Sequence, residues 1–124
     1  MARILIIDDE ELVLFTLRSI LEDVGHDITT AADGREGLDC FGSGLFDVVI
    51  TDIIMPVMPG LEAIVQLRRR DPDVKIIAIS GRRPIGNLDS LHAAREFGAN
   101  RALGKPISRT DLVEAVDACL AACA

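Results

Sequence analysis

A chain of 124 residues has the length of one domain, long enough for roughly two thirds of the unfolded surface to be buried without disulfides or structural metals. Hydrophobic residues make up 49% and charged residues 27%, yet Trp and Tyr are absent and Phe occurs only 4 times, so the core must be aliphatic. The net charge of −7 argues against direct nucleic-acid binding, which draws on clustered Lys and Arg, and against docking on anionic lipid.

The apolar pattern alternates short β-branched runs with helical spacings. The first strand is expected over about residues 3–7, followed by a helix over 11–23 in which Leu14, Leu17, Leu21 and Val24 fall on one face and Gly25 ends the run. A second strand covers about 27–31, then a short helix 34–41 with a thin apolar face of Leu38 and Phe41. The third strand covers about 47–51. A turn rich in Met and Pro leads from it to a helix over 61–70, which stops before Asp71-Pro72. The fourth strand covers about 75–79. A loop from Gly81 to Asn87 precedes a helix over 88–97, closed by Gly98. The fifth strand covers about 101–103. The last helix starts at the capping signal Ser108-Arg109-Thr110-Asp111 and buries Leu112, Val116, Cys119 and Cys123.

The strand runs lack polar alternation, the mark of parallel strands buried on both faces. Five β–α units then imply right-handed crossovers and helices on both sides of a parallel sheet. The expected fold is an α/β, flavodoxin-like, doubly wound sandwich of three layers with strand order 2-1-3-4-5. Residues 1–124 are expected to form this single domain, with no output domain after it. Met-Ala-Arg ahead of the first strand leaves no room for a signal peptide, and no apolar stretch reaches the ~18 residues of a membrane span. The odd set Cys40, Cys119 and Cys123 fits reduced structural thiols and a cytoplasmic location. His26 and His92 have no metal-ligand spacing and are expected on the surface.

In open α/β sheets, sites lie just past the carboxyl ends of the strands. Five polar residues stand there: Asp8 and Asp9 after the first strand, Asp52 after the third, Ser80 after the fourth and Lys105 after the fifth. With strands one and three adjacent, three carboxylates, a hydroxyl and an ammonium would share one crevice. Crowded carboxylates without His or Cys call for a hard divalent cation, Mg²⁺ or Mn²⁺. A cation beside a lysine suits a phosphoryl group, which a carboxylate can accept as an aspartyl phosphate. Asp52, the central acid, is the candidate nucleophile. Asp8 and Asp9 flank the metal, Lys105 pairs with a phosphoryl oxygen and Ser80 donates a hydrogen bond to it.

These residues resemble the receiver domain of two-component response regulators, over the whole chain. The resemblance rests on Asp8-Asp9-Glu10, Asp52-Ile53-Ile54-Met55-Pro56, Gly60 at the third helix, Ser80-Gly81, Gly98-Ala99 and Lys105-Pro106, each in order at a strand or helix end. It implies that Asp52 takes a phosphoryl group from a phosphohistidine on a sensor histidine kinase or histidine phosphotransfer protein. It further implies Mg²⁺ bound by Asp9, Asp52 and the backbone carbonyl of Ile54, with Asp8 acting through water, and a cis bond at Lys105-Pro106. An effector protein would bind the face made by helix four, strand five and helix five.

The chain departs from that family in places. Ala102 stands where members usually carry Tyr or Phe, the ring that turns inward with the strand-four hydroxyl, so output is expected to run through the loop of residues 81–87 instead. That loop carries Arg82 and Arg83, either of them a solvated charge or, for Arg82, a reach toward the phosphoryl group. Pro59 and Ile107 replace a common Asp and Phe, as changes of stiffness and packing. Two other functions compete with a phosphoryl switch. One is an aspartyl phosphohydrolase, disfavoured because Ile54 stands where its second Asp belongs. The other is a phosphorylation-independent interaction module, disfavoured by the intact acids and Lys105.

Overall fold

The structure, a computed structural model, describes residues 2–53, 60–81 and 90–121, with the backbone alone for residues 60 and 90–93. Its elements run β1 (Arg3–Ile7), α1 (Glu11–Asp23), β2 (Asp27–Ala31), α2 (Gly34–Ser43), β3 (Val48–Asp52), α3 (Gly60–Arg70), β4 (Lys75–Ser80), α4 (Ser90–Phe97), β5 (Arg101–Gly104) and α5 (Arg109–Ala121). The strands form one parallel sheet in the order β2-β1-β3-β4-β5, as the apolar pattern implies.

Side chains alternate across this sheet, so each strand feeds two cores. Ile4, Ile6, Val48, Ile50, Ile77 and Ile79 point to one side, where Leu17 and Leu21 of α1 and Leu112, Val116 and Cys119 of α5 cover them. Leu5, Ile7, Val49, Ile76 and Ala78 point to the other, against Leu38 of α2, Ile64 and Leu67 of α3 and Ala94 of α4. Both faces of the sheet are buried, and this is why the strands carry continuous apolar runs.

Local signals set where the helices stop and start. Gly25 (φ +97°) and Gly98 (φ +127°) adopt the left-handed conformation just past α1 and α4. At each, paired bonds close the last turn: Gly25 N–H to Glu22 O with His26 N–H to Leu21 O, and Gly98 N–H to Arg95 O with Ala99 N–H to Ala94 O. Asp33 Oδ1 caps α2 by accepting from Glu36 N–H at 2.8 Å, and Ser108 Oγ caps α5 by accepting from Asp111 N–H at 3.0 Å. Arg68 ties the ends of α3 and α4 together. Its guanidinium donates to the carbonyls of Pro72 (2.9 Å), Val74 (2.6 Å) and Gly98 (2.8 Å) and to Asn100 Oδ1 (2.9 Å).

Some expectations need correction. Helix α2 runs on to Ser43, and β3, β4 and β5 each extend one residue further, to Asp52, Ser80 and Gly104. His26 is half-buried and is not a free surface residue: its Nδ1 accepts a hydrogen bond from Ala2 N–H at 3.1 Å. Val24, placed on the buried face of α1, is 40% exposed, because the chain turns away there into Gly25. Cys119 is buried and Cys40 half-buried, as structural thiols. Cys123, Met55, Pro56, Pro59, Arg82, Arg83 and Leu88, and the side chain of His92, lie outside the described residues.

Helix α2 approaches β1 closely at Gly37, where a Cβ would stand 2.7 Å from Ile7 Cγ1 and closer still to Ile7 Cδ1. In an exposed helix Gly→Ala gains about 1 kcal/mol. Here Ile7 is fully buried and has no room to yield, so overpacking costing about 1–3 kcal/mol outweighs that gain. Gly37→Ala is therefore expected to lower the urea midpoint followed by circular dichroism, the usable probe in a chain without Trp or Tyr. A raised midpoint would show that Ile7 moves freely.

Candidate functional site

The sheet ladder delivers the five sequence candidates to one rim. Ile7 pairs with Thr51 across β1 and β3, Asp52 with Ile79 across β3 and β4, and Ser80 with Gly104 across β4 and β5. The ladder continues past the strand ends through Asp8 N–H to Ala31 O, Ile53 N–H to Ile79 O and Lys105 N–H to Ser80 O. Asp8, Asp52 and Ser80 are buried, at 0%, 4% and 4% exposure, whereas Asp9 is exposed. Gly81 leaves room for the lysine stem, since a Cβ there would stand 3.0 Å from Lys105 Cβ and 3.1 Å from Cδ. The Lys105-Pro106 bond is cis, as the resemblance implies.

Lys105 Nζ sits among carboxylates: 2.9 Å from Asp8 Oδ2, 3.1 Å from Glu10 Oε1 and 3.3 Å from Asp52 Oδ2. Burial alone would push this ammonium down, but hydrogen bonds to Asp8 and Glu10 and the charges of Asp52 and Asp8 hold it above the ordinary lysine range. It stays protonated throughout the physiological range. Asp8 is raised as well, which for a carboxylate disfavours the charged form. Burial raises it, and the Glu10 N–H bond at 2.9 Å and the Lys105 ammonium offset that only in part.

A divalent cation fits this donor set. Carboxylate oxygens of Asp8, Asp9, Glu10 and Asp52 all lie within 4.8 Å of one another. Opposite ligands on an octahedral Mg²⁺ stand about 4.2 Å apart. Asp8 Oδ2 is buried against the Lys105 ammonium at 2.9 Å, a contact that leaves it lone pairs to offer a cation. All the donors are hard oxygens, the set that Mg²⁺ prefers. Ile54, whose carbonyl the resemblance makes a ligand, lies outside the described residues.

Residues 4–117 match the response regulator receiver domain. The chain belongs to that family. Among its relatives are the response regulator MprA of Mycolicibacterium vanbaalenii, 35% identical over 118 residues, and the transcriptional regulatory protein PrrA of Mycobacterium bovis, 36% identical over 118. Each alignment covers 95% of this chain but only 50% and 49% of the relative, so the chain spans about half the length of the curated relatives it matches. Among solved structures, a receiver domain protein of Clostridium thermocellum superposes with a TM-score of 0.88 at 34% identity, covering 97% of this chain and 94% of that one. The chemotaxis protein CheY4 of Vibrio cholerae gives 0.86 at 29%, covering 95% and 98%.

One receiver feature differs from the sequence reading. Glu10 belongs to the acid cluster, although only its neighbours were placed in the site. The signal was present as a third consecutive acid after β1, but a carboxylate there serves equally well to charge a helix start. Ala102 is half-buried and lines a hollow of about 620 Å³ between α4 and α5, which Arg95, Arg101, Asp111 and Glu114 also border. Among the described residues no helix is long and apolar enough to cross a membrane.

The shift at Asp8 sets a pH dependence. Its carboxyl is raised in the folded protein, so folding is favoured by Asp8 at acid pH, and that contribution is lost as pH rises from about 3.8 through the raised value. In chelator, Asp8→Asn is expected to melt several degrees above the parent at pH 7, with the gap closing toward pH 4. Millimolar Mg²⁺ should raise the parent's melting temperature and leave Asp8→Asn nearly unchanged. Thermal scans by circular dichroism check both; an Asp8→Asn protein less stable at pH 7 would refute the burial cost.

Proposed function

We propose that this receiver domain accepts a phosphoryl group on Asp52 and works as a phosphorylation-dependent switch. The approach of the Lys105 ammonium to 3.3 Å from the buried Asp52 carboxylate, inside a cluster of further acids, supports this reading most directly. Such a pocket has charge of both signs where a phosphoryl group would arrive, and little else to do with it.

The donor is a phosphohistidine on a sensor histidine kinase or a histidine phosphotransfer protein. An Asp52 oxygen attacks phosphorus; a P–O bond forms, the P–N bond breaks, and its electron pair returns to the donor's imidazole. Lys105 neutralises charge on the transferred oxygens, and the Ser80 hydroxyl donates to one of them. Asp8, Asp9 and Asp52 would hold Mg²⁺, which when bound supplies the charge neutralisation that lets an anionic donor approach these acids. Asp8 is kept oriented for that role by the Glu10 N–H. The domain then catalyses only its own phosphorylation and dephosphorylation, with no turnover of outside substrates. It acts as a cytoplasmic regulator that alters effector binding at the α4–β5–α5 face or passes the phosphoryl group on, without the receiver domain itself contacting nucleic acid or membrane.

Incubation with Mg²⁺ and a small acyl phosphate is expected to add one phosphoryl group by intact mass. The adduct should be absent in Asp52→Asn and in chelator, and Lys105→Ala should slow its formation on the order of tenfold or more. A parent protein left unmodified by both the acyl phosphate and a phosphohistidine donor would refute the switch. Rapid multiple turnover of the donor would point to a hydrolase instead.

A further inference from the structure

We infer that Glu10 is a positioning residue that holds Lys105 back from the incoming phosphoryl group, and so slows phosphorylation of Asp52. The inference rests on the phosphoacceptor reading of the site. Glu10 occupies the N-cap position of α1, yet its side chain makes no cap hydrogen bond; its carboxylate lies 3.1 Å from Lys105 Nζ instead. An ammonium has three N–H groups. In this protein three carboxylates surround it, from Asp8, Glu10 and Asp52.

The three are not equivalent. The side chains of Asp8 and Asp52 are 0% and 6% exposed and fixed at strand ends, while that of Glu10 is 56% exposed and sits on the rim. Lys105 must turn toward a phosphoryl oxygen on Asp52, and every bond it keeps elsewhere competes with that turn. Asp8 and Asp52 cannot leave the site. Glu10 is the tether that can be cut without disturbing a buried group. Its charge at the mouth also opposes an anionic donor, with the same sign of effect. An ion pair whose acid end is exposed is weak, so the restraint amounts to about three- to fivefold in rate. Salt screens such a pair over about 8–10 Å at ordinary ionic strength, so the effect depends on salt.

The test is the rate of phosphoryl incorporation from acetyl phosphate, followed by intact mass, in the parent, Glu10→Gln, Lys105→Gln and the double variant, across Mg²⁺ and salt. Glu10→Gln is expected to react about three- to fivefold faster at low salt and at an unchanged half-saturating Mg²⁺ concentration. The gain should shrink near 1 M salt. It should vanish in the Lys105→Gln background, the signature of an effect carried through the lysine. A gain that persists without Lys105 would overturn the positioning role and leave only repulsion of the donor. A slower Glu10→Gln with a raised Mg²⁺ requirement would make Glu10 a metal ligand and overturn the inference as well. A labelled parent with an unchanged Glu10→Gln rate overturns this inference alone, whereas an unlabelled parent overturns the phosphoacceptor reading together with it. Glu10→Ala repeats the measurement should Glu10→Gln melt abnormally by circular dichroism.

Discussion

The contact between the Lys105 ammonium and the buried acids is the constraint around which the upper rim of this domain is organised. Asp8 is fully buried, and an isolated carboxylate in that position would be neutralised before it would be tolerated as a charge. The 2.9 Å contact with Lys105 and the Glu10 N–H are what keep an anion there possible. The arrangement is still unfavourable on balance, since Asp8 remains raised. Because Glu10 and Asp52 would still neutralise Lys105, replacing Asp8 by a neutral group of the same shape relieves that cost without leaving the ammonium unpaired. The pocket is thus a local cost borne by the rest of the fold, and a cation or an altered Asp52 changes that cost directly.

The two aliphatic cores on either side of the sheet offset it. Among the described residues twelve large side chains, Ile4, Leu5, Ile6, Ile7, Ile76 and Ile77 included, are almost fully buried. Their packing holds β1, β3, β4 and β5 in register to the last ladder bond, so the charged side chains are set by rigid strand ends and not by loops. The Lys105 N–H to Ser80 O bond at 2.8 Å is the clearest case, joining two candidate site residues through backbone alone.

Most of this architecture is legible in the residues. Ile4–Ile7 and Ile76–Ile79 lack polar alternation because both faces of the sheet are covered, and Gly25 and Gly98 stand where the chain needs a positive φ. What escapes the sequence is what depends on partners far along the chain. His26 looks like a surface residue until Ala2, 24 positions away, donates its N–H to the ring. Glu10 looks like a helix-start charge until Lys105, 95 positions away, reaches it. The end of α2 at Ser43 is similarly non-local. Its apolar face is short, and Phe41 gains its partners only when it packs toward the second core and stacks on Phe46 at 6.2 Å.

For a change at Asp52 to be felt at the surface, some group must touch both. On β5, Ala102 presents only a methyl beside a hollow of about 620 Å³, so that position carries no ring to serve as such a group. Lys105 meets the requirement instead. Its ammonium contacts Asp52, its backbone is bonded to Ser80, and through Glu10 it reaches the first turn of α1, which presents Leu12 and Phe15 to solvent at 76% and 68% exposure. A more negative Asp52 draws this ammonium harder and competes with the pull of Glu10 on it. Glu10 thus links the charge of the pocket to the start of α1 through a path that does not run through either core.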